Sequence, residues 1–298
     1  MNQLKRIHAT AASGKSRLMQ RASLVTLSGV SFLIILKLIA WIETDSVSLL
    51  SSLVDSVMDI LASLINFGAI YYSLQPPDKE HRFGHGKVEY IAGLGQVIFI
   101  FATASVVMIE AIRRFFHPVP LTHEWMGMGV MGISLVVTLG MVWFQRYVIR
   151  RTGSTTVKAD AFHYLTDILA NAAVLVSFVL AMGLGWLWAD PVIAIGVSLY
   201  IFHGAWKLGR QSFDNLMDRE FSDEERQRIK DVVTGQAGVK GMHEMKTRHS
   251  GILAFIQFHI DVDGKLPLSE AHEITEAVEK SVQELFPHAE VLIHTDPV

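Results

Sequence analysis

Ser48 to Phe67 reads SLLSSLVDSVMDILASLINF, a run of 20 residues apolar enough to cross a hydrocarbon core about 30 Å thick as a helix. It nevertheless carries two acids, Asp55 and Asp59, near its middle. On insertion-derived scales each acid at a span centre costs about 2.5–3.5 kcal/mol, so the pair needs a compensating interaction.

Half of the 298 residues are hydrophobic, only 18% are charged, and the mean hydropathy is +0.34. That composition points to a polytopic membrane protein rather than a soluble domain. A net charge of −3 gives no reason to expect nucleic acid as a partner. The absence of cysteine removes disulfides, thiolate metal sites and thiol redox chemistry. Six spans are predicted, at about 22–42, 48–74, 89–113, 125–149, 157–183 and 188–208. Residues 1–21 are basic, lack the apolar core of a signal peptide, and read as a cytoplasmic arm.

Basic residues orient the bundle. Lys5, Arg6, Lys15, Arg17 and Arg21 precede the first span, Lys79, Arg82 and Lys87 join the second to the third, and Arg146, Arg150, Arg151 and Lys158 join the fourth to the fifth. The opposite side offers Glu43 and Asp45, and only Arg113 and Arg114 disagree. Both termini are therefore expected in the cytoplasm. Beyond the membrane domain at 22–209 the character changes. Ser222 with Glu225 forms a capping-box pattern, Ala254, Ile256, Phe258, Ile260 and Val262 alternate as in a strand, and LSEAHEITEAVEKSVQELF is amphipathic. The order α-β-β-α-β predicts a cytoplasmic α+β domain at 210–298, ferredoxin- or metallochaperone-like, with its helices on one side of a three-stranded sheet.

Asp55 and Asp59 are four apart and share one face of the second span. His163 and Asp167 repeat the device on the fifth. Two facing pairs supply four nitrogen and oxygen ligands, the number that zinc takes in a tetrahedron, and inward carboxylates in a helix bundle are a known way to build a metal site. Simple hydrogen bonding between helices is the competing account, and it explains one buried acid better than two such pairs. Lys37 is left to pair with an acid or to snorkel to an interface. Asp160 is read as marking the start of its helix in preference to lining an access route.

DSVMD on the second span with HYLTD on the fifth resembles the cation diffusion facilitator family. The likeness extends over nearly the whole chain, through SLQPPD and HRFGHGK, ADAFHYLTD, LMDRE and VLIHTDP. It implies a homodimer in the bilayer, expected in the bacterial inner (plasma) membrane, that exchanges cytoplasmic divalent metal for protons by alternating access. Asp55, Asp59, His163 and Asp167 are then the transport site. Ligands must be deprotonated to hold zinc, so metal and protons compete for these side chains, and His163 is the natural exchanger. A histidine among carboxylates favours Zn2+ or Cd2+ over magnesium or calcium; preference over Fe2+ is a weaker inference.

Asp78, His81 and His85 lie within eight residues of the loop between spans two and three, and the resemblance implies a second metal there. In the tail it implies a binuclear site from His243, His259, His272, His294 and Asp296, with Asp296 as the bridge. Thr295 stands where some relatives have glutamine, which leaves any ligand from that position in doubt. Lys87 and Asp218 resemble positions that join a charge network between the membrane and cytoplasmic domains in relatives; taken alone, each reads as an ordinary solvated charge. His8, His117, His123, His203, His249 and His288 have no matching partners.

Other functions fit less well. HRFGHGK lacks the first glycine of a P-loop, while HEMKT and HEITE each fail the second histidine of a metalloprotease helix, so neither an ATPase nor an enzyme is expected. A channel is disfavoured because a tight tetrahedral site holds its ion too long for fast conduction. A non-transporting metal sensor on the same fold is the alternative, disfavoured by the complete quartet of ligands.

Overall fold

The computed structural model describes residues 12–44, 47–116, 125–184 and 188–298. Lys5, Arg6 and His8 of the arm, Asp45, and His117 and His123 lie outside the described residues. Six long helices form: α1 (Arg17–Thr44), α2 (Val47–Ser73), α3 (Val88–Phe116), α4 (Trp125–Thr152), α5 (Thr155–Leu184) and α6 (Ala189–Leu216). Each coincides with one of the six expected spans. Among the described residues, α1, α2, α3, α4 and α6 are long and apolar enough to cross a membrane by length and composition. Helix α5 is 30 residues long but is not among those five. Its first half carries Lys158, Asp160, His163 and Asp167, and several later side chains lie outside those described. The expected domain boundary at 209/210 falls inside α6, which runs on to Leu216.

The described residues divide into two compact units, one within 18–71 and 89–212, the other of 12–17, 72–88 and 213–298. In the first, α5 contributes to two apolar clusters. Ala159 joins Val97, Ile100 and Ala104 of α3 and Ile201, Ala205 and Leu208 of α6; Tyr164 and Ile168 join Val30 of α1 and Met141 and Val142 of α4. The helix bearing His163 and Asp167 is thus the one that the others pack around. Close approach needs small residues, as membrane helix packing generally does. A Cβ on Gly204 would sit 2.2 Å from the Phe162 ring. The discordant Arg113 and Arg114 are held locally, Arg114 Nε lying 2.9 Å and Arg113 Nη1 3.8 Å from Glu110.

The second unit holds α7 (Asp223–Thr234), β1 (Gly241–Ser250), β2 (Leu253–Val262), α8 (Leu268–Leu285) and β3 (Ala289–Pro297). The order β1-β2-β3, antiparallel then parallel, gives the expected α-β-β-α-β domain. The capping box forms: the Ser222 hydroxyl accepts from the Glu225 amide, and the Glu225 carboxylate accepts from the Ser222 amide. Ile256, Phe258 and Ile260 of β2 are buried with Ile229 and Val233 of α7 and Val278 and Val282 of α8, so both helices cover one face of the sheet. Burial of each such side chain contributes about 1.5–3 kcal/mol.

The other face of β2 receives the 72–88 loop. Phe83 meets Phe255 edge-on with ring centroids 5.6 Å apart, and the Arg248 guanidinium lies 4.9 Å from one ring and 5.0 Å from the other. Backbones touch where Gly86 passes Ser250: a Cβ on Gly86 would fall 2.2 Å from the Ser250 carbonyl oxygen. Lys87 Nζ is 2.8 Å from Asp218 Oδ1, and Arg248 Nη1 is 3.2 Å from Asp218 Oδ2. Partial burial pushes the Asp218 carboxyl up, but the hydrogen bonds and charges of Lys87 and Arg248 outweigh it and hold the group below its ordinary 3.8. This contribution to stability is therefore complete above pH 3.8 and is lost as pH falls through the lower folded value.

Candidate metal sites

In the membrane unit, one ligand atom each from Asp59, His163 and Asp167 gathers within 4.8 Å. His163 Nε2 lies 3.0 Å from Asp59 Oδ1 and 4.0 Å from Asp167 Oδ2. The imidazole is 3% exposed, edge-on to Phe99, and its Nδ1 has no hydrogen-bond partner. Asp55 sits one turn earlier on α2, exposed, and is not gathered into this cluster. Three of the four expected ligands therefore meet, from two helices, and the fourth is on the same helix as Asp59.

Among the described residues Lys37 has no acid within 4.0 Å, although Asp59, Asp167 and Asp55 all attract its charge. Its ammonium donates to the Ser56 hydroxyl at 2.7 Å and the Ser52 carbonyl at 3.1 Å, beside Asp55 on α2. Asp160 also departs from expectation. Far from a solvated helix start, it is 6% exposed and accepts from Asn66 Nδ2 of α2 at 2.9 Å and Gln145 Nε2 of α4 at 2.6 Å. Gln145 Nε2 also donates to Thr26 of α1, and Asn66 Nδ2 to Gln96 of α3. Five helices thus join through one buried carboxylate. Sequence reasoning missed this because the partners are uncharged amides and a hydroxyl, which a count of charges in spans passes over.

In the loop, Asp78, His81 and His85 also bring ligand atoms within 4.8 Å. Asp78 Oδ1 accepts from the amides of Glu80 and His81, at 2.9 and 2.6 Å, folding the loop back on itself. His85 is packed edge-on to Tyr72, its Nδ1 3.4 Å from the Gln75 carbonyl and its Nε2 3.3 Å from Asp78. A ring oriented by a backbone carbonyl, with a buried Nε2 that faces a carboxylate without a formed hydrogen bond, is an arrangement that suits a metal-binding histidine.

The third cluster is His243, His259 and Asp296, again within 4.8 Å. Register explains it: His243 pairs with His259, which pairs with His294, and Asp261 pairs with Asp296, all on the sheet face away from the helices. A bulge between His243 and Lys246, with Glu244 at φ 49°, bends β1 at this point. Asp296 Oδ2 is 2.9 Å from His259 Nδ1 and 3.6 Å from His243 Nε2, while Oδ1 is 3.3 Å from His294 Nε2. One carboxylate thus faces histidines with each oxygen, the geometry of a bridge. His272 is elsewhere, 3.3 Å from Glu276 on α8. Thr295 faces the helices, bonded to Thr275 at 3.0 Å, so it adds no ligand on the histidine face.

The hydrogen bond from His259 holds the Asp296 carboxyl below its usual range, and the His81 amide does the same for Asp78. Both carboxyls therefore stay ionised to lower pH than an ordinary aspartate.

The description "Cation efflux transmembrane domain" matches residues 23–217, and "Cation efflux protein, cytoplasmic domain" matches 221–298. The cation-efflux pump FieF of Salmonella choleraesuis (strain SC-B67) is 43% identical over 284 residues, 94% of this chain and 93% of its own. That of Citrobacter koseri is 43% identical over 281 residues, with the same coverage. Among solved structures, one of CzrB is 30% identical with a TM-score of 0.25, over 26% of this chain and 98% of its own. Membrane-spanning helices, the helix-covered sheet domain, the two family descriptions and the 43% identity to the FieF pumps lead to one conclusion: the chain belongs to the cation efflux family of membrane transporters, the cation diffusion facilitators.

Proposed function

We propose that the protein is a proton-coupled exporter of divalent metal, zinc first and Cd2+ or Fe2+ besides, working as a homodimer in the bacterial inner membrane with both termini in the cytoplasm. The observation that carries this reading is the meeting of Asp59, His163 and Asp167 inside the helix bundle. Asp55 completes a four-ligand sphere when metal binds, turning in from the adjacent turn of α2. When the cation binds between the two helices it displaces the protons of its ligands, which leave to water; without metal, the same side chains take protons back. Alternating exposure of this site to the two sides then exchanges one ion for the other. The loop cluster and the Asp296 cluster bind further zinc outside the membrane, with Asp296 bridging two ions between His243, His259 and His294. His272 serves the second ion only if it is delivered from beyond the cluster, as by a partner subunit.

The test is zinc flux in proteoliposomes with an internal zinc indicator and an imposed pH gradient. Flux should follow the gradient and reverse with it; flux indifferent to pH would remove the coupling. His163→Asp should lower the preference for zinc over manganese, because an all-oxygen site suits harder ions. An unchanged preference would remove His163 from the ligand set. For the tail, Asp296→Asn in an Asp59→Ala background should reduce the bound zinc measured by elemental analysis of the purified full chain. Unaltered zinc content would count against the bridging role.

A further inference from the structure

A cavity of about 390 Å³ opens between α4, α5 and α6, lined by residues outside the three metal clusters. Arg146 of α4, Lys158 of α5 and His203 and Lys207 of α6 all line it, and no acid does. Among the described residues none of the four has an ion-pair partner; Lys158 donates to the neutral Gln211 amide oxygen. Snorkelling accounts for a single lysine stretched toward an interface. It does not account for basic side chains from three helices turned into one concavity, where like charges oppose one another unless an anion sits between them.

The walls say which anion. Lys158 precedes Leu165 by seven residues on α5, and Lys207 follows Tyr200 by seven on α6. At 1.5 Å per residue both intervals are about 10 Å, and the helices run in opposite directions, since Lys158 meets Gln211 while Phe162 meets Gly204. Lys158 and Lys207 therefore lie toward one end of the cavity, with apolar Ile149 and Leu208 beside them, and Leu165 and Tyr200 lie toward the other. Phe162 closes the floor against the bare backbone of Gly204, where a side chain would displace it. A small free anion has no use for the apolar side chains of Ile149, Ala161, Phe162, Leu165 and Leu208 that line the same cavity. We propose that the cavity binds an anionic phospholipid, with its phosphate among Arg146, Lys158 and Lys207 and an acyl chain against Phe162 and Leu165. Basic pockets between spans are the general form of such sites.

Native mass spectrometry of the full chain released from nanodiscs of mixed phosphatidylglycerol and phosphatidylcholine tests this. Wild type should retain phosphatidylglycerol selectively, and Arg146→Gln with Lys207→Gln should lose about fivefold in retention for each charge removed. Arg146→Lys with Lys207→Arg should retain it. The unfolding temperature in pure phosphatidylcholine, unchanged by the neutral pair, separates lost binding from lost folding; if it falls, Lys207→Gln alone, on an exposed position, replaces the pair. Equal retention by wild type and neutral variant overturns the proposal. So does stabilisation of wild type in phosphatidylcholine by inorganic phosphate to the extent that phosphatidylglycerol gives, because the site is then one for soluble anions.

Discussion

Asp59→Ala is expected to abolish zinc flux in proteoliposomes while leaving a folded protein. Four-ligand zinc sites gain roughly 10–16 kcal/mol from the metal, or about 3 kcal/mol per ligand, so losing one weakens binding by about a hundredfold or more. Asp59 is also the group nearest His163, at 3.0 Å, so its removal leaves the imidazole facing Asp167 alone at 4.0 Å. Folding should be spared, because the Asp59 side chain is partly accessible and no apolar cluster of the membrane unit depends on it. Asp55→Ala makes an informative companion. If Asp55 joins the sphere only when metal arrives, its loss should weaken zinc binding without altering the metal-free protein. Proton-driven flux retained by Asp59→Ala would remove the membrane site from the transport reaction.

What was legible in the sequence had a period behind it. Asp55 with Asp59 and His163 with Asp167 stood out because four-residue spacing survives folding as one helical face. The six spans were legible because hydrocarbon thickness fixes a length. Alternation over Ala254 to Val262 assigned β2 its buried face, and so assigned His259 to the opposite one. Relations across long separations were not legible. Nothing local links Phe83 to Arg248 and Phe255, yet that stacking attaches the 72–88 loop, with its own histidines, to the sheet. Whether Asp55 and His272 stand with their intended partners likewise depends on geometry that spacing does not encode.

Asp160 shows the same limit from inside the membrane unit and yields the larger stability effect. Asp160→Ala leaves two buried amide donors, on Asn66 and Gln145, without their carboxylate. An orphaned buried polar group costs about 1–3 kcal/mol. Each amide keeps a second contact, to Gln96 at 3.4 Å and Thr26 at 2.9 Å, which places the combined loss near the lower end, about 2–3 kcal/mol. The unfolding temperature of the purified protein should fall accordingly. Asp160→Asn should cost less, because Gln145 Oε1 has no hydrogen-bond partner and a rotated Gln145 amide can accept from the new donor. A double-mutant cycle with Asn66→Ala isolates the contact: the paired substitution should fall short of the sum of the two singles. Strict additivity would mean that the carboxylate does not hold α2 to α5. Zinc flux adds a further expectation, since the knot lies one turn from His163 on α5 and two turns from Asp59 on α2. Loosening it should lower the zinc affinity of the transport site even in membranes where the protein remains folded.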